Sequence, residues 1–364
     1  MLRRLLPVFA VATAMLLMVA CSDDSDSEAT ATAEAGMTET AAADSTGTAA
    51  AEMTETAAAA SGPPIRIGYS AWPGWFPWAV TEQVGIFDQV GVNVEMVWFE
   101  GYLDSINAFA AGQLDGNTQT LNDTIASVAA GSDQVIVLVN DNSTGNDQII
   151  VTADIETIED LAGKEIGAEV GVVDHFLLLL GLESVGLSEA DVTVVPLETG
   201  AAAAAFATGQ LDGVGVFAPF TTQALQREGS HVLFTSADFP GAIPDHLVLS
   251  RELIESRPED VQKIITAWFL TLDYIEANRD EALGIMAEQA GVSVEDYESY
   301  DAGTTLFSVD DNLEAFEPGD SYTSLQYAAE QINQFLVDSE FIPEAADISG
   351  IFDPSFVIAH AEMQ

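Results

Sequence analysis

Ala108-Phe109-Ala110-Ala111-Gly112-Gln113-Leu114-Asp115-Gly116 recurs 97 residues later as Ala205-Phe206-Ala207-Thr208-Gly209-Gln210-Leu211-Asp212-Gly213. In each copy a run of small residues suits a helix, the glycine suits the left-handed position that closes it, and the leucine opens a strand. One helix-to-strand joint used twice predicts two α/β lobes of similar topology with a cleft between them.

Working outward from the first copy, Ile65-Arg66-Ile67-Gly68-Tyr69 alternates as a strand does, and a loop rich in Pro and Gly follows. Helix is then expected over 79–90, 101–111 and 121–130, and strand over 92–98, 114–118 and 134–140. Strands separated by helices of this length imply βαβ units and a mainly parallel sheet. Around the second copy lie a helix start at Thr157-Ile158-Glu159-Asp160-Leu161, strands at 165–168 and 192–196, and a helix from Asp174. The expected division is lobe one at 65–147 plus 246–364 and lobe two at 148–245, with crossings near 145–151 and 243–250 as a hinge. Pro258-Glu259-Asp260 opens a long amphipathic helix through Ala277, and helices at 279–290 and 323–337 are expected to pack back on lobe one.

The ends and the composition bound the setting. Residues 1–20 read as a signal peptide: Arg3 and Arg4, an apolar run from Leu5 to Ala20, and small residues before Cys21. That run falls short of the ~20 apolar residues a transmembrane helix needs. Cys21 is the only cysteine in the chain, so an internal disulfide and a cysteine metal site are both excluded. Residues 21–64 are Ala, Thr, Ser, Glu and Asp with few large apolar groups, a composition that cannot offset chain entropy and reads as a disordered acidic spacer. As a flexible coil it would average about 35 Å end to end. The chain carries 59 acids against 9 Lys plus Arg, a net charge of −50, which makes nucleic acid and anionic membrane surfaces poor partners. A general solubility role in a salt-exposed secreted protein accounts for most of these acids.

Ile67-Gly68-Tyr69 with its Trp-Pro loop, Gly85-Ile86-Phe87, the paired Gly-Gln-Leu-Asp-Gly segments and Ile158-Glu159-Asp160-Leu161-Ala162-Gly163-Lys164 together resemble the type II periplasmic binding proteins. The resemblance is to the nitrate, taurine and aliphatic-sulfonate group of ABC substrate-binding proteins and its thiamine-precursor relatives, and spans nearly all of 65–340. Gly68-Tyr69-Ser70-Ala71-Trp72-Pro73-Gly74-Trp75, Thr120-Leu121-Asn122-Asp123-Thr124 and Val172-Val173-Asp174-His175 resemble the subgroup described as urea-type or guanidine-type uptake receptors. The resemblance implies an α/β, two-lobed fold and a lipoprotein on the outer face of the cell membrane or in the periplasm. Acylation of Cys21 would supply its membrane anchor, and an ABC permease and its ATPase would be its partners. A monomer without cofactor is expected.

In that fold a ligand meets loops at strand ends and the helix N-termini behind them, where free N–H groups favour anions. Sulfonate and nitrate binders place Ser or Thr at the helix start of lobe two, whereas this chain reads Glu169-Val170-Gly171-Val172-Val173-Asp174-His175-Phe176. Asp174 either contacts ligand or caps the helix. Trp72, Trp75 and Trp78 fall within seven residues of one loop, beside Phe76, and suit stacking on a flat or cationic ligand. Trp78 is expected in the core. Asn122 and Asp123 open a helix after the first repeat and either cap it or face the cleft. Phe217 ends the strand of the second repeat, with core packing its alternative, and Asp245 sits at the return crossing. Glu169, Asp174, His175 and these residues make up the candidate ligand site.

Beyond residue 20 the cations are Arg66, Lys164, Arg227, Arg251, Arg257, Lys263 and Arg279, none in a candidate pocket segment. An oxyanion would lack the Arg fork that secures it. The expected ligand is therefore small, planar and rich in N–H donors: guanidinium or a substituted guanidine first, urea or an amide-like solute second. A sulfonate, nitrate or taurine receptor and a thiamine-precursor type of binding protein or enzyme are the alternatives. Enzymatic activity is not expected, because neither lysine of the body lies in a cleft segment and no Gly-x-Ser-x-Gly, Walker or HExxH pattern occurs. A metal site is likewise not expected from Asp174, His175, Asp245 and His246, which lack paired spacing.

Overall fold

The computed structural model describes residues 62–363. Residues 1–61, on which the expected signal peptide (1–20), Cys21 and most of the expected spacer (21–64) fall, lie outside the described residues. The strands are β1 (Ile65–Tyr69), β2 (Val94–Trp98), β3 (Gly116–Thr120), β4 (Gln134–Ser143), β5 (Asp147–Val151), β6 (Glu165–Ala168), β7 (Thr193–Pro196), β8 (Gly213–Phe217), β9 (His231–Thr235), β10 (Pro244–Ser250) and β11 (Thr304–Leu306). They form a six-stranded sheet in the order β11-β4-β10-β3-β1-β2 and a five-stranded sheet in the order β7-β6-β8-β5-β9.

The two copies of the repeat do the same work in the two sheets. Helices Tyr102–Ala110 and Thr199–Ala207 precede β3 and β8. Gly112 and Gly209 follow with φ of 70° and 83°, a left-handed turn that costs a glycine little. Gln113 N–H then returns to the Ala108 carbonyl and Gln210 N–H to the Ala205 carbonyl. The Asp115 carboxylate accepts from the Arg66 amide at 2.8 Å, and the Asp212 carboxylate accepts from the Glu165 amide at 3.0 Å. These aspartates fix the register of β3 beside β1 and of β8 beside β6, both parallel.

The sheets are not mainly parallel as the alternation of elements had suggested. β10 runs antiparallel to both β3 and β4, and β5 runs antiparallel to both β8 and β9. The reason is topological: each crossing strand enters its sheet from the other lobe, at the end opposite to the one a crossover helix would use. The two crossing segments touch, Ser143 Oγ lying 2.7 Å from Ser236 Oγ and the Gly145 amide donating to Ser236 Oγ at 2.8 Å.

Most helices fall where periodicity places them, but the expected helix over 79–90 is two, Pro77–Gln83 and Ile86–Val90, because Gly85 adopts φ 77° between them. Helices Pro258–Ala277 and Leu325–Asp338 pack on the first lobe, the former against Pro77–Gln83 and the latter against Leu121–Ala129. Among the described residues no helix is long and apolar enough to cross a membrane.

Candidate functional site

The loop after β1 is anchored by a close approach of backbone to side chain. A Cβ on Gly74 would lie 1.8 Å from Asp141 Oδ2, so only glycine fits against the end of β4. The same approach lets the Trp72 indole N–H donate to Asp141 Oδ1 at 2.9 Å. Trp75 lies with its ring centre 5.3 Å from that of Tyr102, and Tyr102 meets Phe217 edge-on at 6.3 Å. Phe217 meets Trp72 at 6.3 Å, and Trp72 meets Trp75 at 6.5 Å, which closes the circuit. Three rings of the first lobe and one of the second thus form a box, with Ala71, Thr120, Val173, Asp147 and Asp245 completing its lining. The void inside is about 10 Å³, close to the space one water requires. The lobes are closed on each other.

Carboxylates converge on this box from both lobes. Asp123, in the first turn of helix Leu121–Ala129, accepts from Thr120 Oγ1 at 2.6 Å and Asn122 Nδ2 at 2.7 Å. Asp174, in the first turn of helix Val173–Ser184, lies 2.8 Å from Thr199 Oγ1, which is also 2.8 Å from Glu169 Oε2. Glu169 Oε1 accepts from the Leu103 amide of the facing lobe at 3.2 Å. Asp141 and Asp245 are cross-strand neighbours on β4 and β10, and Asp147 begins β5. Asp123, Asp141, Asp147, Asp174 and Asp245 are all at most 2% exposed.

Burial governs their protonation, because a charged form is penalised when water is removed. It pushes the Asp123 and Asp147 carboxyls up to about 7. Burial, reinforced by neighbouring carboxylates, also holds Asp141, Asp174 and Asp245 well above the usual carboxylate range, and burial raises Glu169. Among the described residues no Lys or Arg answers them. The seven Lys and Arg all bond elsewhere: Arg66 to Glu95, Lys164 to Asp154, Arg251 to Asp133, Arg257 and Lys263 to Asp260, Arg279 to Asp301, and Arg227 to the Phe206 and Leu211 carbonyls. Asp141 Oδ2, Asp147 Oδ2, Asp174 Oδ1 and Asp245 Oδ2 are buried without a donor. Such groups each cost on the order of 1–3 kcal/mol until something donates to them.

Of the residues singled out from sequence, Trp72, Trp75, Phe217 and Asp245 line the void, and Asp123 and Asp174 stand behind it at the helix starts. Asn122 supports Asp123, and Glu169 lies in a separate interlobe depression with Leu103, Asp104 and Glu198. Two lie elsewhere. Phe76 is packed in a separate cluster against Trp98 and Tyr297. His175 lies 3.2 Å from Glu189, its ring tilted against Phe341 at 5.2 Å; burial lowers its pKa. Trp78 is core, against Phe87 and Trp268, as expected. Tyr102, Asp141, Asp147 and Thr199 were not legible as site residues. The only sequence signal for the two aspartates was polar residues, Asn140-Asp141-Asn142 and Asn146-Asp147, interrupting apolar strands at the crossings.

A profile described as the NMT1-like family matches residues 58–290. A Brucella abortus protein provisionally named a binding protein is 26% identical over 231 residues, covering 62% of this chain and 71% of that protein. The taurine-binding periplasmic protein of Escherichia coli K12 is 29% identical over 177 residues, 47% of this chain and 54% of its own. The alkanesulfonate-binding protein of Xanthomonas axonopodis pv. citri, solved with MOPS bound, superposes with a TM-score of 0.70 at 21% identity, over 82% of this chain and all of that one. A desulfurization enzyme shares the fold more distantly, with a TM-score of 0.58 at 16% identity over 82% of this chain and 99% of its own. The fold is that of the two-lobed periplasmic binding proteins.

Proposed function

This chain belongs to the NMT1-like family, and from that premise we propose that it is an exported solute receptor of an ABC importer, selective for a small, flat, donor-rich solute of the guanidinium type. The observation that carries the ligand class is the set of buried aspartate oxygens without donors, facing an aromatic box with no Lys or Arg nearby. Guanidinium offers N–H groups in its plane to the carboxylates and its π face to indoles, with about 0.5–2 kcal/mol available per cation–π contact. Urea has the same shape without the charge and fits less well where carboxylates are unpaired. The proposed binding residues are Trp72, Trp75, Tyr102 and Phe217 for the faces and Asp141, Asp147 and Asp245 for the donors, with Asp123, Asp174 and Glu169 behind them.

Relatives favour a second reading. The names of the E. coli and Xanthomonas proteins speak of taurine and alkanesulfonates, so likeness alone points to a sulfonate or taurine ligand rather than to guanidine. Against it stands the chemistry of this cleft, where both helix N-termini that could receive an oxyanion already carry the chain's own aspartates. Taurine, a zwitterion, could offer its ammonium to the carboxylates but would leave its sulfonate among them.

The remaining assignments are proposals of the same kind. Residues 1–20 act as an export signal and Cys21 carries the lipid, with 21–64 as a tether. The lobes, 65–147 plus 246–364 and 148–245, close about the crossings, and the closed monomer docks on a permease and its ATPase. The relatives named as binding proteins support binding without catalysis. A thermal-shift panel of guanidinium, urea, taurine and nitrate tests the ligand class, since a solute bound only by the folded state raises Tm. Guanidinium should give the largest rise, measured at millimolar levels where it does not denature; a rise confined to taurine would reverse the assignment.

A further inference from the structure

We infer that Asp141 and Asp245 together form the seat of the ligand's cationic group, which on binding takes the place of a proton that the two carboxyls share. This rests on the receptor reading above and adds to it the position of the charge and the exchange that neutralises it.

The pair is set by the sheet. β4 and β10 run antiparallel, Asp245 stands opposite Asp141, and the register slips just after Asp245. Like charges directly opposite on neighbouring strands repel, and these two carboxyls are buried, 0% and 1% exposed, with no Lys or Arg among the described residues beside them. Two buried carboxyls so placed cannot both ionise, and the pair keeps one proton. The Trp72 indole holds Asp141 Oδ1, while Asp141 Oδ2, Asp245 Oδ2 and the nearby Asp147 Oδ2 have no donor. A cation with several N–H groups supplies donors to all three and the charge the proton had provided.

Every titratable group facing the pair is an acid or a phenol. Asp147 stands on β5 and Asp123 on helix Leu121–Ala129, and the phenols are Tyr297 near Asp141 and Tyr102 near Asp245. His246, next to Asp245, points instead to Thr124 Oγ1 at 2.8 Å and is held neutral by burial, its pKa lowered to about 3. The nearby Asp147 and Asp123 carboxyls come under the same incoming positive charge, which disfavours their protonation, so the displaced proton leaves to solvent. One positive charge enters and one departs, and the cleft floor keeps its net charge. Urea, being neutral, cannot make this exchange.

Calorimetric titration of guanidinium at pH 7, repeated in phosphate and in imidazole, reads proton release from the difference in observed heat. About one proton should be released per guanidinium bound, and none with urea. In Asp245→Asn and Asp141→Asn the amide keeps the shape and can still bond its neighbour, so release should vanish and guanidinium affinity fall tenfold or more. Asp133→Asn, a surface acid paired with Arg251 away from the cleft, should still release the proton. Heats independent of buffer for the wild type, or Asn variants of the pair that bind and release as the wild type does, would overturn the exchange. If an Asn variant failed to fold, the wild-type buffer comparison would decide alone. No guanidinium binding by the wild type at all would overturn the receptor reading itself, a result distinct from binding without proton release.

Discussion

At the scale of single residues, Gly74 shows how closely the site is built. Its Cα faces Asp141 so tightly that a methyl group would overlap the carboxylate. Gly74→Ala should therefore destabilise the fold by about 1–3 kcal/mol, as overpacking does, and should also weaken ligand binding because Asp141 and the Trp72 bond to it must move. Urea melts and a ligand titration on the same variant check both; unchanged stability with unchanged affinity would mean the loop sits differently. Residues at helix starts were legible in the sequence, because Asp123 and Asp174 follow strand signals and open apolar runs. Asp141 and Asp147 were not, since what makes them site residues is the pairing of β4 with β10 and of β5 with β8, which sets Asp141 beside Asp245, 104 positions on, and Asp147 beside Phe217, 70 positions on. Phe76 was misplaced for a related reason. A loop of alternating rings does not reveal which ones turn inward, and Tyr297, far along the chain, supplies the surface that holds Phe76.

At the scale of elements, the repeated joint accounts for why the two lobes match. Asp115 and Asp212 each accept one backbone amide of the neighbouring parallel strand and hold its register. Replacing either with Ala should cost about 1–2 kcal/mol, a Tm loss of several degrees, with the part-buried Asp115 bond losing at least as much as the exposed Asp212 bond. Thermal melts of the single variants test this, and a large loss for one with none for the other would show that the copies are not mechanically alike. The repeat was readable because it is local: small residues, a glycine, a leucine and an aspartate in one order. The antiparallel crossing strands were not, because the direction of a strand in a sheet depends on how the chain arrives there, which no local pattern records.

At the scale of the whole molecule, the cleft trades stability for binding. Asp123 and Asp147 have folded pKa values of about 7, above the ordinary 3.8. A carboxyl raised in this way favours the folded state when protonated, so its contribution is complete below about 3.8 and is lost as pH rises through about 7. The ligand-free protein should lose Tm between pH 5 and pH 8. The net charge of −50 adds repulsion in the same direction, but about 1 M salt shortens the screening length to about 3 Å and removes most of the surface part. The loss that persists in salt belongs to the buried acids. Saturating guanidinium should offset it more at pH 8 than at pH 5, and a Tm that is flat with pH in high salt would contradict this description of the cleft.

The central claim is that the cleft receives positive charge. Isothermal titration of guanidinium and of taurine into the same protein at pH 8 tests it most directly, because the buried aspartates are then least protonated. The structure predicts a single site for guanidinium and little or no heat with taurine. Tight taurine binding with none for guanidinium would contradict it.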